Sequence, residues 1–280
     1  MIELIQQRLI GYKATNAIEE EQAIKEIIQE IALFGLWKAG FFDVAAFQGG
    51  TSLRILYKMP RFSEDLDFIL KTKNPDFDWT KYLKKLLANL KEFGLKTEVK
   101  DKSRMDRPVR QAVLKDDSIS NQLILTFYRG KQNQNLTIKL EIDVNPPAGS
   151  RFEYTYLDFP TDFEVGHQDL GSNFALKLHA LLCRPYLKGR DWYDFNWYVR
   201  KETKPNLPLL QAALIQAGPW KGQELSIDED WVKQLLMAKI STLDWKEAAQ
   251  DVERFLNRTE KEGLKLWSAR FFSEKVEKIF

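Results

Sequence analysis

The sequence predicts an α+β fold, with helices and a mostly mixed sheet over residues 1–160 followed by an all-helical domain over residues 161–280. Three observations carry this. Short strand-like runs cluster between residues 43 and 144, apolar residues past Ser172 recur at helical spacing, and 280 residues suit one large domain or two of moderate size. With 44% hydrophobic and 12% aromatic residues, the chain has the composition of an ordinary globular protein with a sizeable core.

Residues 15–40 read as a helix, because Ile24, Ile27, Ile28 and Ile31 recur at three and four spacing behind Thr15 and Asn16, and Gly40 is a stop. Residues 43–48 read as a short buried strand. Gly49 and Gly50 then turn the chain into a short helix over 51–57, which Pro60 ends. Residues 66–70 form a second strand, and residues 79–93 an amphipathic helix with Tyr82, Leu86, Leu87 and Leu90 on one face. Four further strands are expected over 95–101, 108–114, 122–128 and 136–144, before Asn145-Pro146-Pro147-Ala148-Gly149 breaks the pattern. Past Ser172, with six of the eight tryptophans, the expected helix caps are Ser172, Asn206, Ser226 and Ser241.

Composition removes several classes of function. The 42 basic and 40 acidic side chains leave a formal charge of +2, which excludes a polybasic arm or an acidic tail as the main device. A lone Cys183 forms no internal disulfide and supplies no thiolate cluster, which suits a reducing compartment. No apolar run approaches the roughly 18 residues needed to span a bilayer, and no signal pattern opens the chain. A cytoplasmic, soluble protein with no membrane partner is therefore expected. His167 and His179 are the only histidines, so catalysis would rest on carboxylates, lysine, hydroxyls or a metal held by oxygen ligands.

Gly49-Gly50-Thr51-Ser52 is a strand-to-helix turn, in which missing side chains let backbone N–H groups approach a ligand and a helix N-terminus favours negative charge. Asp65 and Asp67 follow in the stretch 61–68 (RFSEDLDF). Strand alternation points both carboxylates to one face while Leu66 and Phe68 point to the core. An isolated Asp-x-Asp is most often a solvated strand start; here the apolar partners anchor the strand. Hard oxygen ligands of this kind fit Mg²⁺ or Mn²⁺. A third carboxylate, Glu141 or Asp143, lies on the strand over 136–144 beside Lys139. In the helical half, Lys177 could reach a phosphate as a point charge, and Asp191 and Asp194 share a face at a helix start. By itself that last group reads more simply as a capped surface helix with an Arg190 ion pair.

In this order the residues resemble the AbiEii/AbiGii-type nucleotidyltransferase toxins of bacterial type IV toxin–antitoxin and phage-abortive systems, within the DNA polymerase beta-like nucleotidyltransferase superfamily. The stretches that carry the resemblance are 49–53 (GGTSL), 61–68, 139–142 (KLEI), 177–184 (KLHALLCR) and 190–194 (RDWYD), between residues 41 and 200. Trp192 stands where the family more often has an aliphatic residue. The resemblance implies a nucleotidyltransferase-like sheet, with Gly49, Gly50, Thr51 and Ser52, together with Arg61 and Ser63, around an NTP. It implies metal bound by Asp65, Asp67 and Glu141, a phosphate contact from Lys177, and a catalytic or positioning carboxylate at Asp194 or Asp191. It also implies an RNA acceptor, a tRNA 3′ end in particular, and a cognate antitoxin. Basic excesses over 96–115 and 177–204 suit a phosphate backbone. The competing reading from another class is a non-catalytic nucleotide-binding interaction module.

Overall fold

The computed structural model describes residues 1–127 and 136–280. Its chain divides into two compact units: one comprising Met1–Lys58, Phe62–Pro146 and Glu153–His167, the other Met59–Arg61, Pro147–Phe152 and Gln168–Phe280.

The first unit opens with α1 (Ile2–Gly11) and α2 (Ala17–Lys38). Asn16 caps α2 by accepting the Glu19 N–H, and the Glu19 carboxylate returns to the Thr15 N–H at 2.8 Å, a reciprocal arrangement that satisfies donors at both positions. The isoleucines picked out by spacing are all buried. Gly35 lets α2 cross α4 (Thr80–Glu92) closely, since a Cβ there would lie 2.8 Å from Leu86 Cδ1.

Against these helices packs a seven-stranded sheet. Its strands are β1 (Ala45–Gln48), β2 (Leu66–Leu70), β3 (Thr97–Asp101), β4 (Val109–Asp116), β5 (Leu136–Asp143), β6 (Phe152–Leu157) and β7 (Phe163–Gln168). The spatial order is β3-β4-β5-β2-β1-β7-β6. β1 is antiparallel to β2 and parallel to β7, β2 is parallel to β5, and β4 is antiparallel to both β5 and β3, so the sheet is mixed as the sequence predicts. One face carries Phe47, Leu66, Phe68, Ala112, Leu114, Ile138, Leu140 and Ile142 into the core. Alternation then puts Asp67, Gln111, Lys139 and Glu141 on the opposite face. The α3 helix (Gly49–Tyr57) begins directly at the end of β1.

Three expectations are corrected. Residues 122–127 form no strand, and Tyr128 lies outside the described residues. The N–H groups that would enter a ladder are taken by side chains instead: Ile124 by Gln6, and Thr126 and Phe127 by the Glu20 carboxylate, each at 2.8 Å. The strands β6 and β7, and helix α1, are absent from the sequence reading. In β6 most positions are exposed or half-buried, so alternation there marks no buried face. Finally, Asp169, Asp228 and Asp244 cap the helices expected to start with Ser172, Ser226 or Ser241, whereas Asn206 caps as expected.

The second unit is built from α5 (Leu170–Cys183), α6 (Gly189–Arg200), α7 (Leu207–Gln216), α8 (Glu229–Ser241), α9 (Trp245–Glu253), α10 (Arg258–Gly263) and α11 (Ala269–Ile279). Trp192 of α6 fills its core, with ring centroids 5.1 Å from Trp245 and 5.3 Å from Phe272. Among the described residues no helix is long and apolar enough to cross a membrane.

Candidate active site

The predicted site residues fall into two groups, one in each unit. In the first unit, β1 delivers the chain to Gly49, whose φ of +75° few residues other than glycine adopt. A Cβ at this position would also lie 2.6 Å from Asp67 Oδ2. Both facts require glycine here and show how tightly the turn packs against the Asp67 carboxylate. Thr51 and Ser52 are buried with their hydroxyls turned inward, Thr51 donating to the Asp65 carbonyl and Ser52 to the Gly49 carbonyl at 2.8 Å. The Thr51 bond ties the turn to the segment bearing the two aspartates. Gln48 stands at the N-cap of α3 and makes no side-chain capping hydrogen bond to it; a helix N-terminus favours negative charge.

Asp67 on β2 stands in register with Glu141 on the parallel neighbour β5. Register partners on adjacent strands point to the same face about 5 Å apart, so the two carboxylates form a ledge. Gln111 on β4, itself in register with Glu141, donates to Glu141 Oε1 at 2.7 Å and orients it. Asp143 stands one pleat further, opposite Ile69; its Oδ1 accepts the Asn145 N–H at 2.9 Å, and burial pushes its carboxyl up. Glu141 is therefore the better companion of Asp67. Asp65 precedes β2, is half-buried, and contributes its carbonyl to Thr51.

Does this ledge fit a divalent cation? Among the described residues no three His, Cys, Asp or Glu side chains converge into a ready cage. Mg²⁺, however, typically takes one or two protein carboxylates and completes its shell with water and substrate phosphates. Two hard carboxylates on one face, beside a helix start suited to phosphate, match that donor set.

In the second unit Arg61, Lys177, Asp191, Asp194 and Arg184 form a buried ion cluster. Arg61, only 3% exposed, grips the fully buried Asp194 through two bonds, Nε to Oδ1 at 2.6 Å and Nη2 to Oδ2 at 2.7 Å. The Lys177 ammonium lies 2.7 Å from Asp191 Oδ1 and 2.9 Å from Asp194 Oδ2, and Arg184 reaches the other oxygen of Asp191. Burial works against the charges of Arg61, Lys177, Asp191 and Asp194, but their opposite charges outweigh it. Asp191, against burial, is held down to about 2 by Lys177 and Arg184. Asp194 is lowered by Arg61 and Lys177, while Lys177 is raised by the two aspartates. The five residues saturate one another, so the spacing of Asp191 and Asp194 that suggested a surface pair instead marks the interior side of α6.

A family model described as the nucleotidyl transferase AbiEii toxin of type IV toxin–antitoxin systems matches residues 31–274. The chain belongs to the AbiEii family. This AbiEii-family chain is thus a nucleotidyltransferase. Among solved structures it is similar to a candidate nucleotidyltransferase from H. pylori, 16% identical with a TM-score of 0.48, covering 91% of this chain and 98% of that one. It is also similar to JHP933 from Helicobacter pylori, 15% identical with a TM-score of 0.47, covering 91% and 89%. No curated protein matches the AbiEii-family chain.

Two residues around the ledge escape the sequence reading. One is Gln111, which looks like any polar strand position until the register with Glu141 is known. The other is Gln29, fully buried in α2, whose Nε2 donates to the Ser63 and Glu64 carbonyls at 3.1 and 2.9 Å. Gln29 thereby holds the backbone that leads into Asp65, and Ser63 enters the site through its carbonyl. The available signal was a glutamine amid isoleucines at core spacing.

Proposed function

We propose that this chain transfers a nucleoside monophosphate from an NTP to the 3′ end of an RNA, a tRNA in particular, in a Mg²⁺- or Mn²⁺-dependent reaction. We further propose that it acts as the toxin of a type IV pair with a cognate antitoxin, in defence against phage. The observation that carries the reading is the packing of the Gly49 turn against the Asp67–Glu141 ledge, which brings a phosphate-binding helix start beside in-register carboxylates.

In this reading the α3 start and the Gly49-Gly50-Thr51-Ser52 backbone hold the triphosphate, and Asp65, Asp67 and Glu141 hold the metal. The metal would neutralise charge on the phosphates and lower the proton affinity of the acceptor hydroxyl. The RNA 3′ hydroxyl oxygen forms a bond to the α-phosphorus as the α–β bridging P–O bond breaks. Its proton passes to a ledge carboxylate and pyrophosphate leaves with the bonding pair. Gln111 fixes Glu141 for this role, while Thr51 and Gln29 fix the Asp65 segment. Arg61, Lys177, Asp191 and Asp194 act as positioning residues, holding α5 and α6 together through their mutual charges, with Arg61 four residues before Asp65.

The test is incubation with each α-labelled NTP, Mg²⁺ and total RNA, comparing the native chain with Asp65→Ala/Asp67→Ala. Label on RNA that the double variant abolishes supports transfer; saturable NTP binding with no labelled product at any metal concentration overturns it. Growth arrest on expression, relieved by the same substitutions, tests the toxin role separately.

A further inference from the structure

The sheet face that carries the ledge continues outward from Glu141 across β5, β4 and β3. Register fixes what stands on it: Lys139 lies two residues before Glu141, Val113 pairs with Lys139 and with Lys100, and Lys115 pairs with Thr137 and with Glu98. The alternate positions Val99, Ala112, Leu114, Ile138 and Leu140 pack against the core, so Lys100, Lys115 and Lys139 point away from it. Lys100 and Lys139 are exposed and Lys115 is half-buried. Lys115 and Lys139 make no ion pair among the described residues. Lys100 makes one weak contact, 3.7 Å from Glu98, between two exposed groups.

We infer that this lysine face is the track on which the acceptor RNA's phosphate backbone lies, with Lys139, Lys115 and Lys100 following the chain away from the ledge. The inference rests on the RNA-acceptor reading. Strand spacing of about 4.8 Å puts the β5 and β3 lysines about 10 Å apart, and Lys139 starts about 7 Å from Glu141 along its strand. A polymer whose end sits at Asp67 and Glu141 must cross a neighbouring surface, and this is one on the same face, where three lysines against Glu98 leave a positive excess of two. Long, exposed ammonium groups hold phosphate by charge without reading bases, which suits contacts beyond the reacting end.

The test uses the full chain carrying Lys100→Gln/Lys115→Gln/Lys139→Gln, with the matching triple Lys→Arg variant as the charge-retaining control. KM for the labelled RNA and for the NTP are measured at several salt concentrations. The Gln triple is expected to raise the RNA KM about tenfold or more at low salt and to flatten the log–log salt slope by about 2, since each released counterion on a single strand contributes about 0.7. The NTP KM stays within about twofold, and the Arg triple recovers RNA affinity. An RNA KM and salt slope equal to the native values, with transfer intact, overturns this assignment alone. The same equality accompanied by lost binding of poly-glutamate overturns it in favour of an acidic protein partner. If the native chain labels no RNA at all, the acceptor reading falls first and this surface with it.

Discussion

Two groups of charged residues dominate the molecule, and they are built in opposite ways. In the second unit, Asp191 and Asp194 are buried and enclosed by Arg61, Lys177 and Arg184, so each carboxylate meets a cation on both oxygens. In the first unit, Asp65, Asp67 and Glu141 are half-buried; Thr51 donates to the Asp65 carbonyl, Gln29 to the Ser63 and Glu64 carbonyls just before it, and Gln111 to the Glu141 carboxylate. A charge cluster that satisfies itself stabilises a fold, because burial is tolerable only with full compensation. Half-buried carboxylates on one sheet face, beside a helix start, are placed to meet a ligand such as a hydrated divalent cation. On this contrast rests our proposal that the buried cluster serves the fold and the ledge the chemistry.

The largest effect should come from breaking the saturated cluster. Asp194→Ala leaves Arg61 and Lys177 buried without their shared partner, and about 3–5 kcal/mol of stability should be lost. Calorimetry of the purified chain checks this, and a shift under about 1 kcal/mol would mean the cluster is not the tie it looks like. Gly49→Ala comes next. A left-handed backbone costs an ordinary residue about 1–2 kcal/mol, and the new Cβ meets Asp67 Oδ2, so transfer should fall much further than the melting midpoint, as rate and midpoint measured together will show.

Acid titration offers a third break. The Asp191 carboxyl sits at about 2 in the folded chain against an ordinary 3.8, so its contribution, about 2 kcal/mol, is complete above about pH 4 and is lost as the pH falls towards 2. Asp191→Asn should flatten stability over that window when denaturant midpoints are compared at pH 5 and pH 2.5. The smallest effect on stability belongs to Gln29→Leu. Its Oε1 has no hydrogen-bond partner, so losing the amide should change stability by only about 1 kcal/mol, while loosening the Asp65 segment raises the Mg²⁺ requirement for transfer about tenfold. An unchanged Mg²⁺ dependence would show that Gln29 merely fills α2.

How much of this was legible beforehand depended on range. Alternation put Asp65 and Asp67 on one face and offered Glu141 or Asp143 on another strand, because Leu66 and Phe68, or Leu140 and Ile142, mark the core faces; the preference for Glu141 came with the family resemblance. The Gly49 turn was legible as a strand-to-helix turn, but glycine turns are routine, and only its place before Asp65 and Asp67 in the family pattern pointed it to phosphate. Gln29 and Gln111 were not legible, since their partners lie 34 to 35 and 30 positions away and nothing local distinguishes them from routine polar residues; Arg61 was singled out, but toward an NTP, whereas its partner is Asp194, 133 positions away. Residues 122–127 misled for the same reason: their alternation is real, but Gln6 and Glu20, far back in the chain, take the hydrogen bonds a strand would need.

The division between ledge and cluster stands or falls on Asp67→Asn, a substitution that keeps shape and removes charge at the ledge. Transfer from an α-labelled NTP and the thermal midpoint are measured on the same preparation. The account predicts a loss of transfer of about 100-fold or more with the midpoint almost unmoved. Transfer within about threefold of native, from a variant that melts normally, would contradict it.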